Sequence, residues 1–311
     1  MSLTFKQKLL AFIGMTKRNI WMFFRDKTNV FFSLLAQFII LFLYLAFLKE
    51  SYVDIINSNL QGFEELITKN DVSNFINSWL LSGLIGSATI TIAINSLTIM
   101  VQDKAKKIDF DYLASPINGP IITIAYFFGA VINTYIVSGF ILTLGLIILS
   151  IIGNLYLGFI QIILLYVVLL FAVMSSTLLM MLIVSFFKKT SSLSAFSGVV
   201  SAGIGFLIGA YMPISQFSKP IQYIANIIPG SHVTCLFRNY LMSGPLEHIN
   251  ESLQGYDGGM FITTMKEVFS FKLNFLGTTI DIPIMYVYIS VIIVITLVLN
   301  ILFYKISSKR K

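Results

Sequence analysis

The chain has 311 residues, of which 57% are hydrophobic and only 11% charged, with a net charge of +7 at pH 7. That balance excludes a water-soluble globular protein, and the polar stretches 49–78 and 243–281 are too short to fold as domains of their own, so residues 1–311 read as a single membrane domain. The cations cluster in particular segments, which argues for membrane orientation and against a nucleic-acid partner.

In chain order, residues 1–27 form an interfacial helix. At helical spacing Phe5, Leu9, Phe12, Ile13, Ile20 and Phe23 share one face, and Gln7, Lys8, Arg18 and Arg25 the other. Such a helix lies in the headgroup plane, its cations drawn to anionic lipid; a plain basic flank that only sets orientation is the simpler reading. Charge-free segments then predict six transmembrane helices at 28–48, 78–101, 120–152, 159–187, 191–212 and 283–304. The longest run, Tyr112–Phe187, holds 76 residues without Asp, Glu, Lys, Arg or His, and Gly153-Asn154 divides it into two spans. Between the first two spans, Ile55, Ile56, Leu60, Phe63, Leu66 and Ile67 suggest one or two short amphipathic helices. The segment 213–243 is broken at Pro213, Pro220 and Pro229 and reads as a re-entrant helical hairpin, followed by an extracellular loop at 244–282. The fold class is therefore an all-α polytopic membrane protein.

Six crossings put both termini on one side. The segments on that side carry 15 of the 21 basic residues and four of the 14 acids, so both termini are expected to be cytoplasmic. Trp21, Trp79 and Tyr304 fit an aromatic belt at the two surfaces. The lone Cys235 forms no internal disulfide, and no cleavable leader is expected. A bias toward Ile, Phe, Asn and Lys suggests a bacterial cytoplasmic membrane.

The spans hold little that could carry chemistry. No Gly is followed by Lys, so there is no phosphate-cradling P-loop, and no span interior has the ionisable residue an ion-coupled pump would use. Catalytic and metal residues are none: there is no H-E-x-x-H, and His232 and His248 lack the further ligands that zinc requires. Small and hydroxyl residues recur each turn in the second span (Gly83, Ser87, Thr91, Asn95) and the fifth (Ser197, Ser201, Gly205, Gly209). Either these stripes pack helices within one bundle, or they meet a partner subunit and line a mildly polar path. Asn95 needs a partner or water in either case.

In this order of elements the chain resembles the permease subunit of type-2 ABC exporters, a superfamily that includes bacterial drug, peptide and polysaccharide exporters. The resemblance rests on Gly209, Pro213, Pro220, Pro229, Ser231, His232 and Arg238, on Asp109-Phe110 through Ser115-Pro116-Ile117, and on Phe24-Arg25-Asp26-Lys27. It departs at Asp103-Lys104-Ala105-Lys106-Lys107, where many relatives have Arg-Glu followed by Gly-Thr. It implies a second permease, identical or related, and two separate cytoplasmic ATPase subunits that bind ATP and Mg, this chain binding no cofactor and being no enzyme. It further implies an ATPase-coupling loop holding Asp103, Lys106, Asp109, Phe110, Asp111 and Tyr112, a path between the second and fifth spans of two halves, and a hairpin capping it. On that reading Arg238 snorkels to headgroups or pins the hairpin. An uncharged interior suits an amphiphilic or hydrophobic cargo. Two other classes stay open: a non-transporting membrane partner (a sensor, immunity or assembly factor), and a passive scramblase or channel.

Overall fold

The computed structural model describes residues 4–309 apart from Gln61, Phe63, Asn154, Leu276 and Gly277. The expectations placed on Phe63, Asn154, Arg310 and Lys311 fall outside the described residues. The chain is almost wholly helical, and six of its helices are long and apolar enough to cross a membrane.

Helix α1 (Phe5–Arg25) opens with a capping box in which Thr4 and Gln7 satisfy each other's backbone amides. The first span is α2 (Lys27–Leu43), begun by the Asp26 side chain accepting from the Asn29 amide. It runs on through a π-helical turn, Tyr44–Leu48, into α3 (Lys49–Asn59), so one rod covers 33 residues. The amphipathic helix expected after the first span is therefore its continuation. The second span lies in α4 (Lys69–Ser96), which starts nine residues before the charge-free span boundary because Thr68 and Asp71 form a second capping box there. Two short helices follow, α5 (Thr98–Ala105) and α6 (Ile108–Ala114). The remaining spans are α7 (Gly119–Ile152), α8 (Phe159–Val184), α9 (Thr190–Leu207) and, near the C-terminus, α14 (Ile282–Lys309).

Helix α4 is the axis of the bundle. Of its apolar window 89% is buried, against 17% for α9 and for α14. It packs on α2, α7, α8 and α9, and on the short helix Pro229–Leu241. In lipid this packing, rather than water exclusion, holds helices together, so small side chains and interhelical hydrogen bonds decide the contacts. Thr89 and Ser176 join α4 to α8 at 3.2 Å, Asn133 of α7 donates to Ser96 at 2.9 Å, and Asn300 of α14 donates to the Leu178 carbonyl at 2.9 Å.

Between the fifth and sixth spans lie α10 (Lys219–Ile227) and α11 (Pro229–Leu241), of 9 and 13 residues, both too short to cross. Pro220 and Pro229 stand in their first turns, where a missing N–H costs nothing. Helices α12 (Ser243–Ser252) and α13 (Met260–Val268) complete the end of the molecule away from the termini. A two-stranded antiparallel hairpin, β1 (Leu273–Phe275) and β2 (Thr278–Ile280), occupies part of what the sequence suggests is loop. This far end has its own core of Tyr52, Ile56, Phe75, Trp79, Leu246 and Phe269, among others. Trp79 is thus fully buried in protein instead of standing in an interfacial belt, whereas Trp21 is exposed as a belt residue should be.

Candidate functional site

The predicted apolar face of α1 divides in two. Phe23 is buried with Ala88, Ile92 and Val137, while Phe5, Leu9 and Ile13 are exposed. The helix docks on α7 through Met15, Thr16, Asn19 and Phe23. A polar residue serves this contact well, because the Asn19 amide donates to the Ala125 carbonyl at 3.3 Å. The outward Phe5, Leu9, Ile13 and Trp21 are left for lipid, with the Arg25 guanidinium 5.0 Å above the Trp21 ring.

One turn past Met15, Arg18 forms a two-pronged ion pair with Asp103 of α5, at 2.8 and 2.6 Å. Asp103 is 2% exposed, and its Oδ2 also accepts from the Tyr126 hydroxyl of α7 at 2.5 Å. The hydrogen bonds that Arg18 donates to Asp103 raise the Arg18 pKa above its ordinary value, against the lowering effect of burial. Tyr112, half-buried beside this group, is also raised, first by burial and then by the Asp103 charge. Asp103 therefore joins α1, α5 and α7 from the inside and presents nothing to a docking partner. Sequence reasoning placed it on the coupling surface and missed Arg18 and Tyr126 as its partners.

What lies outward here is the rest of that loop. Lys104 donates to the Ser185 carbonyl at the end of α8, at 2.7 Å, while Lys106 and Lys107 are exposed. Lys107 has φ 61°, a left-handed turn that starts α6. On α6, Phe110 and Asp111 are exposed and Asp109 and Tyr112 are partly covered. Phe110 thus stands exposed beside Asp111 on a short helix packed against α5, the helix that carries Asp103.

The second-span stripe is closed within one chain. A Cβ at Gly83 would stand 2.4 Å from the Ala210 carbonyl oxygen, so only glycine permits this approach of α4 to the end of α9. Ser87 and Thr91 are buried, and Ser87 donates to the Leu84 carbonyl. Asn95 binds three elements together. Its amide donates to Ser33 of α2 at 2.8 Å, its side-chain oxygen accepts from Ser197 of α9 at 2.9 Å, and its carbonyl accepts from Asn29 at 2.8 Å.

In the fifth span Ser197 is occupied by Asn95, Ser201 is half-buried, and Gly205 lies under the Tyr211 ring. Gly209, with φ 71°, stops the helix in the left-handed conformation that glycine tolerates. The face left open is the neighbouring one, with Ala195, Gly198, Val199, Ala202 and Phe206 exposed. Together with Ile39, Leu43 and Phe47 of the first span it borders an apolar groove of about 490 Å³. Neither set of residues was singled out from the sequence.

The hairpin residues draw together at the far end. Pro213 is buried and Pro220 exposed. His232 is fully buried, stacked 4.2 Å from Tyr288, with Nε2 2.8 Å from the Asn226 carbonyl; burial lowers its pKa. Arg238 is fully buried too, which overturns the snorkelling expectation. It donates to the Gly209 carbonyl and lies 5.8 Å over the Trp79 ring, and burial draws its pKa down to about 10. No carboxylate among the described residues pairs with it.

Six helices long and apolar enough to cross, an amphipathic helix at one end and a broken hairpin at the other define a multi-pass membrane protein. The sequence profile of the ABC-2 family transporter protein matches residues 46–305, and the chain belongs to that family. It is thus a permease subunit of an ABC transporter, a class that works with ABC ATPase subunits. No protein with a curated description matches the chain.

Proposed function

We propose that this chain and a second permease, identical or related, form the export path for an amphiphilic or hydrophobic substrate such as a drug, a peptide or a lipid-like molecule. Two separate cytoplasmic ABC ATPases supply the energy, binding ATP and Mg, and this chain hydrolyses nothing. Both termini face the cytoplasm of a bacterial cell, as the concentration of Lys and Arg at that end supports. The observation that carries the reading is the Arg18–Asp103 pair. It makes α1, α5 and α7 one unit beside the exposed α6, so a push on Phe110 and Asp111 moves spans and not merely a loop. The exposed face of α9 and the adjoining first-span groove then border the path.

Co-purification with a P-loop ATPase whose turnover rises in the presence of this chain tests the proposal. Phe110→Ala combined with Asp111→Lys is expected to abolish both that rise and export from vesicles, while the chain stays folded. Full stimulation by the double variant would remove α6 as the coupling element. Substrate movement without nucleotide would replace an exporter with a passive pore.

A further inference from the structure

A second groove opens on the other side of the first span, between α2, α4 and α7, with a volume of about 320 Å³. Its rim is exposed apolar surface, including Phe38, Phe140 and Ile148, so it opens to the acyl chains of a bilayer. That volume is in the range of small-molecule sites. Two features separate it from a simple lipid-filled crevice. Gln37 lines it, is 4% exposed, and has neither its Nε2 nor its Oε1 hydrogen-bonded among the described residues. Lys49 lines the far-end mouth beside Asn77 and forms no ion pair among the described residues.

The spacing of these groups describes an occupant. Lys49 follows Gln37 by 12 residues on one continuous helix, so they stand about 18 Å apart along the axis. A plain alkyl chain would cover the apolar wall and leave the Gln37 amide unsatisfied, a costly state inside a membrane. The neighbours of Gln37 in the groove lining, Leu34, Phe38 and Leu41, are apolar and offer a water few further partners. We infer that this groove binds an elongated anionic amphiphile, its acid at Lys49 and Asn77, its apolar body along α4 and α7, and a hydroxyl or carbonyl part-way down its chain at Gln37. The site stands apart from the α9 face, and its occupation does not depend on ATP or on transport.

The test uses the full chain in nanodiscs, without nucleotide or ATPase. A stearate carrying a terminal photoreactive diazirine labels the protein at mildly alkaline pH, and labelled peptides are mapped by mass spectrometry. Label is expected on α2 and α7. A stearate hydroxylated toward its far end, about 18 Å from the acid, should displace it at about a fivefold lower concentration than plain stearate, the effect of one ordinary hydrogen bond. Gln37→Met should make the two competitors equal while retaining label, and Lys49→Gln should weaken both about fivefold. Ile148→Trp, which fills the groove from its lipid side, should remove the label without touching either polar group. Equal competition in the natural chain, a preference that persists in Gln37→Met, or label that survives Ile148→Trp overturns the site. Because none of these readings involves export, they can fail while the exporter assignment stands.

Discussion

Each end of this molecule sets an arginine against the protein, half-buried at Arg18 and fully buried at Arg238, and the two ends neutralise its cost in opposite ways. At the end that carries the termini, Arg18 meets a buried carboxylate, which in turn accepts from Tyr126. At the far end, Arg238 has a backbone carbonyl, an aromatic face and, among the described residues, no acid. The first solution ties together three helices distant in sequence and depends on both partners being present. The second exploits the carbonyl freed where α9 stops at Gly209, so the guanidinium acts as a helix cap supplied from another element. A charge can thus serve as a joint between moving parts or as a pin in a fixed one.

Removing one member of the joint should have the largest effect. Arg18→Met takes the cation from a carboxylate that is 2% exposed, and is expected to cost about 3 kcal/mol of stability, the low end for a buried pair because Arg18 itself is only half-buried. Thermal or denaturant unfolding of the purified chain in detergent reads this directly. The companion Asp103→Leu in the same chain should recover most of the loss, because the charge goes with its partner. A double variant no more stable than Arg18→Met would mean that the pair is not the source of the cost. Next in size is Asn95→Ala, which leaves Ser33 and Ser197 without their partner and should cost about 1–3 kcal/mol. Ser197→Ala alone should cost less, as it removes only one arm.

Arg238→Met should be milder than either, about 1 kcal/mol or less. It leaves the Gly209 carbonyl unpaired but removes a buried charge that has no counter-ion, and the two effects oppose each other. A loss as large as that of Arg18→Met would erase the contrast between the ends. The smallest effect concerns pH. His232 has a lowered pKa in the folded chain, so the unfolded chain takes up its proton first as pH falls. Stability at the far end should therefore hold above the ordinary histidine pKa of about 6.5 and decline below it. His232→Gln should flatten that slope, and a slope unchanged by the substitution would assign it to another group.

Much of the fold was legible because charge is so costly in lipid that its absence marks the spans almost unaided. The six helices, the amphipathic α1 and the broken segment after the fifth span all follow from where Lys, Arg, Asp, Glu, Pro and Gly stand. The candidate site was less legible for two physical reasons. Arg18 and Asp103 are 85 residues apart, and no local pattern says that they meet. Small residues also occupy two adjoining faces of α9: periodicity found Ser197, Ser201, Gly205 and Gly209, but only packing shows that Ser197 and Gly205 meet the rest of the chain while Ser201 lines the groove beside the exposed Gly198 and Ala202. Likewise the burial of Trp79 depends on Tyr52 and Phe269, which arrive from separate parts of the chain.

The unbroken rod from Lys27 to Asn59 has a mechanical meaning. At 1.5 Å per residue it is about 50 Å long, more than the thickness of a bilayer's apolar core. Near one end, Asn29 and Ser33 are clasped by Asn95, which makes that point a fulcrum. At the other end Tyr52 and Ile56 are embedded in the far-end core. Between the two holds lies the wide turn at Tyr44–Leu48, the one departure of the rod from regular α-helix among its described residues. Clasped near one end and embedded at the other, a single helix is thereby the direct tie between the surface beside α1 and the far-end core.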